Sequence, residues 1–145
     1  MNNENLPYGV YINHLSKKFK CSFKEKCNEK GINATYAEII KCIVRSNNRV
    51  YQNDIAENTH LKAPTVSLTL KNMELLGLIT RETDEEDSRK VLVKLTDKGY
   101  EMDNIIKECY KELDCKMVNN ISIEDLDNLK RIILQMTENL GGKNV

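Results

Sequence analysis

Apolar residues recur along the chain with two different spacings, which together predict helices around one β-hairpin. Over most of the sequence the apolar side chains lie three or four residues apart, the spacing of one face of an α-helix. This spacing and the turn signals between segments predict helices at about residues 8–30, 35–46, 52–58, 64–76, 97–118 and 122–140. The spacing shortens to two residues over 78–81 and 90–95, which predicts two strands joined by a polar loop. The expected fold class is mainly α with a small β-hairpin.

Residues with helix-capping chemistry stand at several of the predicted helix ends. Thr35 is the predicted N-cap of the second helix, and Glu38 completes a capping box with it. Ser122 and Asp125 have capping chemistry at the start of the last helix. Gly77 follows the fourth helix, where glycine is favoured because it adopts the left-handed conformation without strain. These signals support the boundaries drawn from the apolar pattern.

The order of elements between residues 52 and 99 is typical of a winged helix-turn-helix. A short helix, a turn and a second helix are followed by the hairpin, and such modules place the second helix in the DNA major groove. At about 100° per residue, Leu70 and Met73 fall beside Val66 and form the predicted buried face. The opposite face carries Pro64, Ser67, Leu68, Lys71 and Leu75, flanked by Thr65 and Asn72. The outward Leu68 fits either contact with a thymine methyl group or an amphipathic helix with one stray apolar residue.

The loop between the two predicted strands has mixed charge. Arg89 and Lys90 suit a DNA minor groove, whose negative potential attracts arginine. The acids of residues 82–87 would repel phosphate if all of them faced it. One interpretation is that Asp87 pairs with Arg89 and orients it while the other acids project into solvent. The other is that the loop is a solvated turn without a partner, and charge alone does not choose between them.

Composition adds few constraints. The 145 residues include 22 Lys and Arg against 22 Asp and Glu, so the net charge of zero neither favours nor excludes a nucleic acid partner. The length suits a single domain over residues 1–145. No apolar run is long enough for a membrane span and the N-terminus lacks an apolar signal region, so we expect a cytoplasmic protein. Five cysteines without a CxxC pair argue against a disulfide framework.

Several motifs resemble the signature of the MarR family of bacterial transcription regulators. They are Gly77-Leu78-Ile79 with Arg81, the D-x-R of Asp87-Ser88-Arg89, VLVKLTDKG from residue 91, and APTVSLTLKNME in the fourth helix. The helix order is similar over nearly the whole chain. The resemblance implies a winged helix-turn-helix flanked by N- and C-terminal dimerisation helices. It implies a homodimer that binds a pseudo-palindromic operator in double-stranded DNA, usually as a repressor, and is released by a small ligand or thiol oxidation.

By the same resemblance, the fourth helix is the recognition helix, Arg89 is the arginine of the wing tip, and Asp87 is its partner acid. The expected DNA-binding residues are Lys62, Pro64, Thr65, Ser67, Leu68, Lys71, Asn72, Asp87, Arg89 and Lys90. Many members of the family have an arginine at the position of Leu68, so a contact to guanine is lost in this chain. The chain also departs from the family at Ala63, which cannot cap the helix through a side chain. Both departures bear on which operator is bound.

The resemblance assigns about residues 6–30 and 97–140 to dimerisation and about 35–96 to the DNA-binding lobe. The apolar stripes from Tyr8 to Phe23 and from Leu126 to Leu140 would supply much of the dimer contact. An intramolecular helix bundle is the alternative. The narrow width of both stripes favours intermolecular packing.

Candidate sensing residues lie in the first two helices. Cys21 stands among four lysines that favour a thiolate, and some relatives sense oxidants through a cysteine of this helix. Simple packing is the alternative for Cys21, and Cys27 on the apolar stripe is expected to be a buried hydrophobe. Tyr11, His14 and Tyr36 are the candidate lining of an effector pocket for a small aromatic ligand, although core packing explains them as well.

No residue pattern indicates a reaction. The sequence has no nucleophile–base pair, no phosphate-binding glycine loop and no metal-ligand spacing, and His14 and His60 are far apart. We therefore expect no enzyme activity, no cofactor and no metal. The leading hypothesis is a homodimeric DNA-binding repressor, and the alternative is a winged-helix protein-interaction module without DNA affinity.

Overall fold

A computed structural model describes residues 6–59 and 61–142 of the chain, which divides into two compact units after Lys111. The helices are α1 Tyr8–Glu29, α2 Ala34–Arg45, α3 Gln52–Thr59, α4 Ala63–Leu75, α5 Asp97–Met117 and α6 Ile123–Asn139. The strands are β1 Val50–Tyr51, β2 Ile79–Thr83 and β3 Val91–Leu95. All six predicted helices are present, and the fold class is mainly α with a small antiparallel sheet.

The core of the first unit is built around α2. Its residues Ile39, Ile40 and Ile43 are completely buried, because the apolar spacing puts them on one face of the helix. Buried residues of α3, α4 and β3 surround them, among them Ile55, Leu70, Met73 and Val93. Burying side chains of this size contributes about 1.5–3 kcal/mol each. This core holds α4 and the strands in place.

The helix ends confirm some capping predictions and correct one. Asn33, not Thr35, is the N-cap of α2, and its side-chain Oδ1 accepts hydrogen bonds from the backbone N–H groups of Thr35 and Tyr36. Ser122 caps α6 as predicted, accepting from the N–H of Asp125 at 3.1 Å. Gly77 has a φ of +73° after α4, and the N–H of Leu78 reaches back to the carbonyl of Met73. Asn33 rather than Thr35 is the N-cap because it is the polar residue that directly precedes the first turn of α2.

The sheet has three strands where the sequence predicts two. Val50 and Tyr51 form β1 and lie opposite Val93 and Leu92, so β3 is the central strand in the order β1-β3-β2. A turn lies just before β1, where Asn47 and Asn48 both have positive φ, and Val50 begins the strand. A two-residue strand carries too little alternation to be recognised from its own sequence.

The second unit, from Glu112 onward, contains α6 and the end of α5. No residue of α6 is buried, although its apolar residues follow helical spacing. Leu129, Ile132, Ile133 and Leu140 are all at least 40% exposed. Within the described residues, no helix combines the length and the hydropathy needed to cross a membrane.

Candidate nucleic-acid interface

Helix α4 separates a buried face from an open polar face as its periodicity predicts. Val66, Leu70 and Met73 are buried, and Thr69, which the sequence analysis did not single out, is buried with them. The helix begins at Ala63, so Lys62 is its N-cap. The Lys62 side chain makes no capping hydrogen bond. The predicted contact residues on this element are all exposed: Lys62, Pro64, Thr65, Ser67, Leu68, Lys71 and Asn72.

Two leucines lie on the open face of α4. Leu68 is 62% exposed and Leu75 is 78% exposed, so the predicted outward orientation of Leu68 is correct. They are seven residues apart, which places them two turns apart on one side of the helix.

An ion pair, and two hydrogen bonds from Thr96 to the residues that follow α4, join this helix to the hairpin. Arg81 on β2 donates through Nε and Nη2 to Glu74 Oε2 on α4, at 3.0 and 2.8 Å. The Thr96 hydroxyl donates to the carbonyl of Gly77, and the Thr96 N–H donates to the carbonyl of Leu78. These bonds connect both strands to the end of α4.

The turn between β2 and β3 carries the arginine of the wing. The Asp87 carboxylate accepts hydrogen bonds from Nε and Nη2 of Arg89 at 3.0 and 3.3 Å, and from the Arg89 N–H at 3.1 Å. The pair predicted from the sequence is therefore present. The bonds from Arg89 hold the pKa of Asp87 below its usual range, so the carboxylate stays charged. The Arg89 side chain is 88% exposed and directed by its partner acid.

The remaining acids of the wing do not all project into solvent. Asp84 is half-buried and accepts hydrogen bonds from the Tyr51 hydroxyl at 2.8 Å and from the N–H groups of Glu86 and Asp87. Glu82 lies 3.5 Å from the ammonium of Lys94. The interpretation that pairs Asp87 with Arg89 therefore agrees with the structure for that pair, but not for Asp84, which does not project into solvent. Glu85 and Glu86 are exposed, as is Lys90.

The sequence predictions missed two contacts at this interface, the hydrogen bond from Tyr51 to Asp84 and the Glu74–Arg81 ion pair. Tyr51 lies on the unpredicted strand β1, 33 residues from Asp84. The Tyr51–Asp84 hydrogen bond raises the pKa of Tyr51 and lowers that of Asp84. No local pattern connects these positions, because β3 alone brings β1 and β2 together. Glu74 and Arg81 are seven residues apart on two different elements, so helical spacing gave no signal for their pairing.

The cysteines divide by burial. Cys21 and Cys115 are exposed, and Cys27, Cys42 and Cys109 are buried. Cys27 is fully buried as expected, and burial together with the neighbouring Cys109 raises its pKa to about 11. Cys21 is therefore the accessible thiol of α1.

The candidate effector residues do not line the clefts found beside α2. Tyr11 and His14 are exposed on α1, and Tyr36 is half-buried on α2. A cleft of about 250 Å³ lies between α2 and α5 instead, lined by Lys41, Val44, Arg45, Asp103, Ile106, Lys107 and Tyr110.

His60 lies outside the described residues. Within the described part of the chain, no three His, Cys, Asp or Glu side chains group as metal ligands.

The C-terminal half of the α1 stripe packs inside the chain. The rings of Phe23 and Phe19 lie 4.5 and 5.6 Å from that of Tyr110 on α5, measured between centroids. Lys41 donates a hydrogen bond to the Tyr110 hydroxyl and lies over the Phe23 ring. The intramolecular alternative therefore holds for this half of the stripe. Tyr8, at the other end of α1, is 79% exposed.

Comparisons with known proteins agree with this geometry. The MarR family model matches residues 32–91. An organic hydroperoxide resistance transcriptional regulator of Bacillus subtilis is 36% identical over 92 residues, which are 62% of this chain and 60% of the relative. The uncharacterized HTH-type transcriptional regulator YdgJ of the same organism is 26% identical over 110 residues, 76% of this chain and 66% of the relative. The chain thus spans about two thirds or less of the length of these curated relatives.

Solved structures share the fold. Wild-type apo MarR from E. coli has a TM-score of 0.79 at 20% identity, covering 92% of this chain and 98% of that one. The S. aureus MepR–DNA complex has a TM-score of 0.74 at 24% identity, covering 94% and 99%. These structures show the fold, and the MarR family model matches the central lobe of this chain over residues 32–91, so the chain is similar to the MarR family.

Proposed function

We propose that this chain is a DNA-binding transcriptional regulator, a homodimer that represses at a pseudo-palindromic operator and is released by a small ligand or thiol oxidation. One observation carries the proposal. Arg89 is held by Asp87 on an exposed wing tip that the Glu74–Arg81 pair connects to the open polar face of α4. A helix for the major groove and an arginine for the adjacent minor groove are the two parts that a winged module needs.

The charge and the chemistry of α4 support its role as the recognition helix. Residues 61–73 contain two lysines and no acid, and the first acid after them, Glu74, is paired with Arg81. The exposed hydroxyls of Thr65 and Ser67 can donate to phosphates or base edges. Leu68 suits the methyl group of thymine, because it has no polar atom to read another base edge.

Three of the five wing acids at positions 82–87 have partners within the chain, while Glu85 and Glu86 are exposed. Asp84 is engaged with Tyr51 and with backbone N–H groups, and Glu82 lies beside Lys94. Asp87 is committed to Arg89, which it keeps in one orientation. An arginine that is already oriented loses less side-chain entropy when it enters a groove.

The relatives support the same role. The MepR structure was solved as a complex with DNA, and both curated B. subtilis relatives are described as transcriptional regulators. Those statements concern those proteins, and DNA binding by this chain is the proposal that they support.

Exposed apolar faces in each unit support the homodimer. On α1, Tyr8, Tyr11, Ile12 and Leu15 are all about half exposed or more, and on α6 no residue is buried. Apolar surface that recurs along a helix face and stays open is typical of an oligomer interface. We propose that a second copy of the chain covers both faces.

The cleft between α2 and α5 supports release by a small aromatic acid. Val44 and Ile106 supply apolar walls for a ring, and Arg45 supplies a cation for a carboxylate. Two other cations of the cleft are engaged, because Lys107 pairs with Asp103 at 2.6 Å and Lys41 donates to the Tyr110 hydroxyl. The pocket around Tyr11, His14 and Tyr36 remains a separate prediction. For oxidative release, Cys21 is the exposed thiol of α1.

Fluorescence anisotropy on promoter duplexes tests DNA binding. The wild-type chain is titrated against a labelled duplex from upstream of its own gene at several salt concentrations, beside Arg89→Ala. We expect affinity to fall steeply with salt and Arg89→Ala to weaken specific binding by about 1–3 kcal/mol. Arg131→Ala is the matched control, because it removes the same side chain from the exposed face of α6 opposite its apolar residues, which we place in no binding site.

Two results would count against the proposal in different ways. A wild-type protein that retains no promoter duplex even at low salt would reject DNA binding and favour the protein-interaction module. Equal affinities of Arg89→Ala and the wild type would reject the assignment of the wing alone.

A further inference from the structure

We infer that Tyr51 is a positioning residue for the wing tip: through Asp84 it holds the 84–90 turn in the conformation that presents Arg89 to DNA. The inference deepens the proposed DNA-binding function and rests on it. It adds a residue from β1, outside both the recognition helix and the hairpin, to the DNA-binding machinery.

The register of the sheet explains how Tyr51 reaches the wing. Tyr51 on β1 and Glu82 on β2 both lie opposite Leu92 of the central strand. Residues directly opposite in antiparallel strands share a face, so the Tyr51 side chain lies on the same face as Glu82. It crosses the central strand there, and its hydroxyl donates to Asp84 Oδ2 at 2.8 Å, just beyond the last residue of β2.

Asp84 in turn organises the backbone of the turn. Its Oδ1 accepts hydrogen bonds from the N–H groups of Glu86 at 2.9 Å and Asp87 at 3.0 Å. Its own N–H donates to the carbonyl of Lys90, and the Lys90 N–H donates to the carbonyl of Asp87. A carboxylate that accepts both backbone donors holds the turn closed while its other oxygen is tied to the sheet.

A continuous series of hydrogen bonds therefore links the sheet to the wing tip. Tyr51 binds Asp84, Asp84 binds the backbone of Asp87, and the Asp87 carboxylate binds Arg89. The ammonium of Lys90 also lies 5.5 Å from the centre of the Tyr51 ring. The ring of a phenylalanine would preserve that last contact, so the hydroxyl is the separable part of the arrangement.

The turn needs such an anchor because it has little else to hold it. Residues 84–90 contain no apolar side chain, so no hydrophobic burial offsets the entropy of ordering them. Without the anchor, binding must order the turn before Arg89 can enter a groove, which lowers affinity. With it, that ordering is already complete in the free protein.

A double-mutant cycle on DNA affinity tests whether Tyr51 acts through Arg89. The variants are Tyr51→Phe, Arg89→Ala and their combination, measured by anisotropy on one promoter duplex. We expect Tyr51→Phe to weaken binding about three- to tenfold in the Arg89 background and to have no effect beside Arg89→Ala. Tyr100→Phe is the matched control, since it removes the hydroxyl of an exposed tyrosine on α5, and it should leave affinity unchanged.

Amide hydrogen exchange without DNA tests the anchoring itself. We expect the N–H groups of Glu86 and Asp87 to exchange faster in Tyr51→Phe than in the wild type, and at unchanged rates in Tyr100→Phe. A Tyr51→Phe loss that persists in full beside Arg89→Ala, or unaltered exchange at both amides, would overturn the inference while wild-type DNA binding stands. A wild type that binds no DNA would instead overturn the proposed function. The exchange experiment is done without DNA, so it tests the anchoring in either case.

Discussion

Replacing Gly99 by alanine should destabilise the protein, although the same change in a helix ordinarily stabilises. Gly99 lies in the first turn of α5 and closes the VLVKLTDKG motif. A Cβ built there would meet the carbonyl oxygen of Leu78 about 1 Å inside ordinary van der Waals contact, and Leu95 Cδ2 at 2.9 Å. Only glycine allows α5 to approach the end of α4 and the strands this closely.

The surrounding structure has little freedom to relieve the clash. The Leu78 carbonyl already accepts the Thr96 N–H at 3.1 Å, so turning it away would break that bond. Overpacking of this kind costs about 1–3 kcal/mol, and the better helix propensity of alanine returns at most about 1 kcal/mol. Because the contact is with a backbone atom that cannot move away freely, the upper end of the cost applies, and we expect the free energy of unfolding to fall by about 2 kcal/mol in Gly99→Ala.

Urea unfolding followed by circular dichroism measures this difference, at one protein concentration for all variants. Gly9→Ala is the matched control, because Gly9 lies in the first turn of α1 and a Cβ there would meet nothing within 4 Å. Gly9→Ala should be neutral or slightly stabilising. Equal midpoints and slopes for Gly99→Ala and the wild type would refute the packing argument.

Two further predictions concern the thiols and the wing. In the native protein at pH 8, Ellman's reagent should react quickly with Cys21 and Cys115 and slowly with Cys27, whose burial and pKa of about 11 leave little accessible thiolate; rapid labelling of Cys27 would contradict its burial. Because hydrogen bonding lowers the pKa of Asp84 from 3.8, the bonded wing turn should persist as the pH falls to that value and be lost only below it. NMR shifts of the two amides that Asp84 binds, followed through an acid titration, measure this, and a midpoint at or above 3.8 would show that the anchor is absent.

Much of the fold was predictable because its signals are local. The apolar face of α4, the turn at Asn47 and Asn48 and the glycine after α4 each depend on residues within a few positions of one another. The Asp87–Arg89 pair was predictable for the same reason, because the two opposite charges lie two positions apart in one turn. The N-cap of α2 was missed because Asn33 and Thr35 both have capping chemistry and only the backbone conformation chooses between them.

The sequence by itself determined which side chains face outward on α4 and placed Asp87 beside Arg89 at the wing, because both features depend on residues a few positions apart. Only the tertiary structure decided what holds those side chains in place. Strand β1 is too short to be recognised from its own sequence, yet its pairing with β3 brings Tyr51 to Asp84, 33 residues away. Arg81 likewise reaches Glu74 only because β2 packs on α4. Contacts between distant residues depend on the closure of the whole chain around one core, and no local pattern encodes that closure.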